Sequence, residues 1–337
     1  MIGWLRRRWG GSSLFSTGAA LFVMVILQTL ALGFGFPSFG EWLSRWWMNW
    51  LNILRNNAGI GIIALGMTFV IISGGIDLAV GSTLVAVGAM VMALIDTGPR
   101  GVLLNLGITG ASAYIIGIAA GLIMGAALGT LTGLLVTRGK LPPFIATLGT
   151  MKICRSVTQH FMQGYTPTVP RPFLQIASLK VGGLLVMPIL YWLACAAIFY
   201  VISKRTAFGR HVIAVGSNER AARLSGVNVQ RVKRMVYALV GVMAAASAIL
   251  QVSRIGSMDY ANAGSGNEMD AISAVIVGGT SMSGGRGFVL GTVLGTLIIA
   301  VMNNLLNLLG VPPFLREAFK GVIVIGAVLL QKREATS

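Results

Sequence analysis

Asp77 follows Ser73-Gly74-Gly75-Ile76 and precedes Leu78-Ala79-Val80-Gly81-Ser82. It is the one acidic residue expected near the interior of an apolar span. A carboxylate there is costly unless it faces a cavity, caps free backbone N–H groups or pairs with a cation. Two roles therefore stand: an N-cap on the helix that starts just after it, or a direct part, with Ser73, Gly74 and Gly75, in lining a polar pathway. Asn303, Asn304 and Asn307 make a second group, a polar row in an otherwise apolar stretch. Asn303 and Asn307 are four apart and share a helix face, and Asn304 lies on the same broad face. Their amides suit a hydroxylated solute, or they bond helix to helix at about 1 kcal/mol. The third group is Gly216-Ser217-Asn218-Glu219-Arg220-Ala221-Ala222-Arg223-Leu224-Ser225-Gly226, which reads as a short helix. Asn218 or Ser217 caps it, Glu219 suits its positive end, Arg220 and Arg223 suit the other end, and Gly226 stops it. Read by charge alone, this stretch is a basic loop that sets topology.

Other chemistry is missing. His160 and His211 have no partner at metal spacing. Cys154 and Cys195 sit in apolar stretches and form neither a CxxC pair nor an assignable disulfide. Ion-driven carriers need intramembrane carboxylates or histidines as relays, and Asp77 alone does not supply them. No GxxxxGK[ST] loop is present, so the chain does not hydrolyse nucleotide by that route. No nucleophile–base or metal constellation suggests an enzyme. A transporter without its own engine implies a separate ATPase subunit.

The elements that position these groups follow from composition. The chain has 337 residues, of which 55% are hydrophobic and 10% charged. Soluble domains carry about 25% charged residues, so this is an all-α polytopic integral membrane protein. Helices are expected over a barrel because the apolar runs are continuous. The net charge of +17 is not a nucleic-acid signal, because the basic residues lie in loops between apolar runs, where they encode topology. The 45 glycines point to close backbone packing and broken spans.

About ten spans are expected: 14–34, 57–72, 78–95, 114–136 with a short lead-in helix, 144–162, 184–202, 235–252, a short glycine-broken 271–282, 288–309 and 318–330. The Trp-rich stretch 36–52, with Trp42, Trp46, Trp47 and Trp50, is expected as an interfacial helix on the outer side. The span 144–162 is less apolar than the rest, with Lys152, Arg155 and Gln159. Ten spans put both termini in the cytoplasm. Sixteen of the basic residues then fall in inner loops and eight in outer ones, in line with the positive-inside rule; eleven spans stay open. Val70-Ile71-Ile72-Ser73-Gly74-Gly75 is weakly echoed by Val275-Ile276-Val277-Gly278-Gly279-Thr280.

Four blocks carry a resemblance to a known family. They are Gly66–Ser82, Pro143–Leu148, Thr206–Val227, and Glu268–Gly287 extended to Asn303–Val311. Together they resemble the permease subunit of bacterial ABC sugar importers, the family of ribose, xylose and galactose permeases. The last block, with its double Asn, most resembles ribose permeases. The first 50 residues and Thr158-Gln159-His160-Phe161 lie outside the resemblance.

The resemblance implies a single permease domain: 1–54 as N-terminal span and Trp-rich segment, 55–331 as permease core, and 204–234 as the cytoplasmic loop facing the ATPase. It implies that Asn218, Glu219, Arg220, Ala221, Ala222, Arg223 and Gly226 couple to that ATPase. It further implies a second permease subunit, identical or homologous, a periplasmic sugar-binding protein, and ATP-Mg held by the partner ATPase rather than by this chain. Membrane lipid is a partner and nucleic acid is not. Rival readings are a permease for branched-chain amino acids or another small solute, and a stand-alone channel.

Overall fold

A computed structural model of the chain describes residues 13–33, 35, 37–312, 314–322 and 325. Helices run through them in the order α1 Ser13–Leu32, α2 Phe39–Ile72, α3 Val80–Ile95, α4 Val102–Asn105, α5 Gly110–Thr137, α6 Pro143–Met162, α7 Arg171–Ser178, α8 Met187–Arg205, α9 Ala207–Ser217, α10 Glu219–Leu224, α11 Val229–Ile255, α12 Asn267–Val277 and α13 Val289–Leu308. Residues 314–322 are helical as well and are called α14. Among the described residues the sole strand-like pairing is one bridge, Val181 with Leu184. Five helices, α2, α5, α8, α11 and α13, are long and apolar enough to cross a membrane, and α1 and α3 are shorter apolar helices.

The helical membrane class read from composition is therefore what the chain adopts. Most expected spans coincide with helices, including the lead-in helix α4 before α5. The tenth span falls largely outside the described residues, as do the basic clusters near both ends.

One expectation is overturned. The Trp-rich stretch does not form a separate interfacial helix; residues 39–52 are the first turns of α2, which runs unbroken for 34 residues, about 51 Å at 1.5 Å per residue. Ser38 caps this helix by accepting from Glu41 N at 3.2 Å, and no Gly-Pro signal interrupts it before Ser73. The tryptophans close a hairpin with α1. Trp42 Nε1 donates to the Gly33 carbonyl at 2.9 Å, and Trp46 Nε1 to Thr29 Oγ1 at 3.0 Å.

The core is centred on α11, which packs against α5, α2 and α3. Its closest partner is α5, where Gly117, Gly121, Gly125, Gly129 and Gly133 recur every fourth residue and are all buried. A Cβ on Gly125 would strike the Gly241 carbonyl, and one on Gly129 the Tyr237 carbonyl. Without an apolar driving force between helices in lipid, such backbone proximity is what dispersion packing requires. The hydroxyls of Thr68 on α2 and Thr292 on α13 meet at 2.6 Å in the same interior.

The two echoed sequences form the same structural motif. At the end of α2, the N–H groups of Ser73, Gly74 and Gly75 donate to the carbonyls of Phe69, Ile71 and Val70, each at 3.0 Å. At the end of α12, those of Gly278, Gly279 and Thr280 donate to Ala274, Ile276 and Val275 at 2.9, 2.8 and 3.2 Å. Gly74 and Gly279 occupy the left-handed region, with φ +78° and +87°, as a glycine-terminated helix needs.

Candidate functional site

The helix ends meet at one end of the bundle, called here the coupling end. α9 is capped by Thr206, whose Oγ1 accepts from Gly209 N at 3.2 Å. Its last residues lie against both glycine breaks. A Cβ on Gly216 would run into the Ile72 carbonyl and the Gly285 N–H, and Gly285 N itself donates to Ile72 O at 2.9 Å. A push on α9 thus reaches α2 and the turn between α12 and α13 through backbone.

α10 follows at once. Asn218 Oδ1 accepts from Ala221 N at 3.0 Å, so Asn218 and not Ser217 is the cap. Gly226, at φ +82°, closes the helix with bonds from Gly226 N to Arg223 O and Val227 N to Ala222 O. Glu219 binds Lys233 at 2.7 Å and Arg223 at 3.2 Å. The Lys233 hydrogen bond, against partial burial, holds its carboxyl below the usual carboxylate range. Ala221, Arg220 and Arg223 are exposed. Ala222 is only 5% exposed and packs into the chain's own core, so it does not offer itself to a partner. Leu224, 91% exposed, was not singled out from the sequence. A leucine two residues before the stop glycine of a basic loop is the signal that could have found it.

Asp77 lies beyond the first of these breaks and is buried. Its Oδ1 accepts from Ala79 N at 2.8 Å, so it satisfies one N–H just before α3 while Ala79 stands at the cap position. Above it, Tyr237 Oη donates to the Ile76 carbonyl at 3.2 Å. Ser73 Oγ donates to Val70 O at 2.8 Å.

The three asparagines of α13 divide. Asn304 and Asn49 of α2 exchange two amide hydrogen bonds of 3.1 Å. Asn307 accepts from Arg316 at 2.8 Å. The Oδ1 of Asn303 is buried with no partner. The structure does not bring this row together with Ser73–Asp77.

The opposite end is polar. Asp96, just past α3, accepts from Gly98 N at 2.8 Å, Thr168 N at 2.7 Å and Tyr165 Oη at 2.7 Å. Desolvation would raise its pKa, but these three bonds outweigh it and hold the carboxyl below its ordinary value. The Tyr165 hydroxyl is pushed up by burial and by that same carboxylate.

Between the two ends lies a feature invisible in the sequence. After α11, residues 256–266 turn back along α3. Met258 lies against Gly88, and Gly264 against Gly81, two helical turns nearer the coupling end. α12 starts at that depth and is only 11 residues long, about half a membrane crossing. Arg155 of α6 holds the descending segment: its Nη1 lies 2.6 Å from the Ala263 carbonyl, 3.2 Å from that of Ala261 and 3.4 Å from that of Tyr260. In the first turn of α12, Asp270 pairs with Lys320 of α14 at 2.9 Å, and Lys320 also meets Glu317 at 2.8 Å.

Beside this segment is a cavity of about 180 Å³ lined by Arg55, Asn56, Ser247, Gln251, Arg254 and Asn267 together with Gly59, Ile60, Leu250 and Gly264. Arg254 Nη1 donates to Asn56 Oδ1 at 3.1 Å. Six hydrogen-bonding side chains in a membrane bundle form a place for a polar solute. The sequence reading missed them because they come from α2, α11 and α12, far apart in the chain.

Apolar helices broken by glycine turns, a half-crossing helix and a polar cavity between helices define a multi-pass membrane transport protein. The chain belongs to the family described as branched-chain amino acid transport system / permease component, which matches residues 49–328. It is 41% identical over 317 residues to the ribose import permease protein of Bacillus subtilis strain 168, covering 94% of this chain and 91% of that one. With the ribose import permease of Escherichia coli K12 it shares 38% identity over 293 residues, 85% of this chain and 86% of the relative. The galactofuranose transporter permease of E. coli K12 is 36% identical over 289 residues, 85% and 80% of the two chains. No solved structure matches the chain. It is thus a permease subunit of the ABC-importer type and a bacterial multi-pass inner-membrane protein, as the four sequence blocks indicated.

Proposed function

We propose that the chain carries a monosaccharide, a pentose or hexose with ribose favoured, into the cytoplasm. The observation that carries this reading is the cavity at Arg55, Asn56, Gln251, Arg254 and Asn267. Its donors and acceptors match a polyol, whereas a branched-chain amino acid would call for an apolar wall. The relatives named for ribose and galactofuranose support the same substrate class.

In this reading both termini and the 204–234 loop are cytoplasmic, and about ten spans cross the membrane. A second permease subunit completes the pathway, a periplasmic binding protein delivers the sugar, and a partner ATPase binds ATP-Mg. This chain's share of the cycle is mechanical. The ATPase engages the exposed side of α10, at Arg220, Ala221, Arg223 and Leu224, while Asn218, Glu219, Ala222 and Gly226 keep that helix in shape. Motion passes from α9 to both glycine breaks and shifts the bundle between two arrangements. Ser73, Gly74, Gly75 and Asp77 border the cytoplasmic end of the route. Asn303, with its unpartnered carbonyl, is the member of the Asn303, Asn304, Asn307 row best placed to meet substrate.

The test is uptake by the transporter reconstituted in vesicles with its ATPase and binding protein. ATP-dependent accumulation of labelled ribose, lost on Gln251→Leu with assembly intact, is the expected result. Accumulation of leucine in place of sugar would overturn the substrate class.

A further inference from the structure

α12 begins without the usual fastenings of a helix. The residue at its cap position is Gly266, in the left-handed region at φ +84° and with no side-chain cap. The residues before it bond mainly to one another. Ala263 N donates to Asp259 O at 2.8 Å, Ser265 N to Asn262 O at 3.0 Å, and Gly266 N to Glu268 Oε1 at 3.3 Å. Such turns fix the local shape of the segment and not its place in the bundle. Lipid is as apolar as a leucine side chain, so apolar contact alone does not fix that place either.

Three contacts with other elements do. Gly264 rests on α3, where a Cβ added to Gly81 would run into the Gly264 carbonyl. Upstream of Gly264, Arg155 of α6 donates to the carbonyls of Ala263, Ala261 and Tyr260. Downstream of it, Lys320 of α14 meets Asp270 at 2.9 Å, with the two side chains 13% and 8% exposed. Between the two cations lie Gly264 and Asn267, the residues by which this stretch lines the polar cavity. Ala263 adjoins Gly264, and Asp270 is less than one helical turn past Asn267. Arg155 and Lys320 themselves are not among the residues that line the cavity.

Each cation suits its task. The guanidinium of Arg155 presents several donors in a rigid fork, so one side chain holds three carbonyls in a fixed relation. The Asp270–Lys320 pair is buried, and the desolvation of a buried pair offsets much of its attraction. Its effect is on place: Asp270 cannot leave Lys320 without stranding two charges in apolar surroundings. Glu317, the second partner of Lys320, is 62% exposed and needs no such shelter.

We infer that Arg155 and Lys320 are positioning residues for the solute site. From α6 and α14 they set where Gly264 and Asn267 stand against α2 and α11, without touching the solute. A binding constellation must be held to about 0.5 Å to keep its groups convergent, and this wall has no helix of its own to hold it so. The inference rests on the reading of the cavity as the place of the solute and adds what holds its wall.

The experiment uses the complete transporter, with its ATPase and binding protein, in vesicles. In a Cys154→Ala, Cys195→Ala background a spin label is attached at Ser265→Cys, an exposed position between the two cations. Lys320→Arg keeps the ion pair; the label should stay immobile and ribose uptake should stay within 2-fold. Asp270→Leu combined with Lys320→Met removes both buried charges and strands neither. This protein should accumulate as wild type does, yet its label should become mobile and uptake should fall at least 10-fold while ATP hydrolysis continues. Arg155→Lys keeps the charge but loses the fork, and should mobilise the label and lower uptake in the same direction. If the doubly substituted protein fails to accumulate, Arg155→Lys decides by the same two readouts. An immobile label with wild-type uptake would overturn the inference. So would uptake lost with the label still immobile, since the cations would then act on the solute itself. A label that responds as expected in a transporter that accumulates no ribose removes the substrate reading and leaves the positioning.

Discussion

The coupling end and the opposite end of this bundle are held by different chemistry. At the coupling end the fastening is backbone against backbone: Gly216 on Ile72, Gly285 N on Ile72 O, and two glycine-terminated helices with matching hydrogen bonds. Such contacts leave no side chain to rotate, so a displacement of α9 passes on nearly rigidly. At the opposite end the fastening is by side chains. Asp96 gathers Gly98, Thr168 and Tyr165, and towards mid-depth Arg155 gathers the 260–263 carbonyls. Each of these bonds can be removed by a single substitution.

The comparison breaks hardest at Gly216. Gly216→Val places a branched side chain against immovable backbone, where overpacking costs about 1–3 kcal/mol or more. Folded protein in membranes should fall several-fold. Gly149→Val on α6, where nothing lies within 4 Å of the added carbon, should change melting by less than about 0.5 kcal/mol.

Asp96→Ala should cost about 1.5–3 kcal/mol, the value of charge-assisted hydrogen bonds, read as melting in detergent. The pH sign follows from the lowered pKa. The Asp96 contribution is complete above its unfolded value near 3.8 and is lost as pH falls through the lower folded value. Wild-type melting should therefore be insensitive to Asp96 between pH 7 and 5, and the deficit of the variant should shrink only in strong acid. A deficit that disappears by pH 6 would contradict the assignment.

Asp77→Leu strips a buried N–H of its acceptor, at about 1–3 kcal/mol, whereas Asp77→Asn keeps an oxygen at the same place. Uptake should survive in Asp77→Asn and fail in Asp77→Leu. Equal loss in both would show that the route needs the charge.

Leu224→Asp should leave melting within about 0.5 kcal/mol yet reduce ATPase co-purification at least 10-fold. Ala222→Trp, buried in the chain's own core, should lower the amount of folded protein instead. The smallest effect is expected at Glu219→Gln. Exposed pairs contribute about 0.2–1 kcal/mol, and the difference from wild type should narrow in high salt.

How far the sequence reached depended on the range of the interaction. Asn218 as cap and Gly226 as stop were legible because both act on neighbours within a few residues. The glycine turns at 73–75 and 278–280 were legible as an echo for the same reason. The continuity of α2 was misread because tryptophan belongs equally at an interface and in a helix hairpin, and the bonds that decide it run from Trp42 to Gly33 and from Trp46 to Thr29.

The sequence by itself determined the membrane class, the positions of most helices and the family, since composition, long apolar runs and local capping are properties of contiguous residues. Tertiary structure alone decided the descent of residues 256–266 to mid-depth, the pairing of Asn304 with Asn49 across 255 positions, the inward side of Ala222 and the polar cavity. The physical reason is the solvent. In water, apolar periodicity marks the buried face of a helix, but lipid is as apolar as a protein core. In this chain Ile153 faces outward while Val252 is buried, and nothing in their types distinguishes them. Only the packing of helices distant in the chain assigns each face to core, lipid or water.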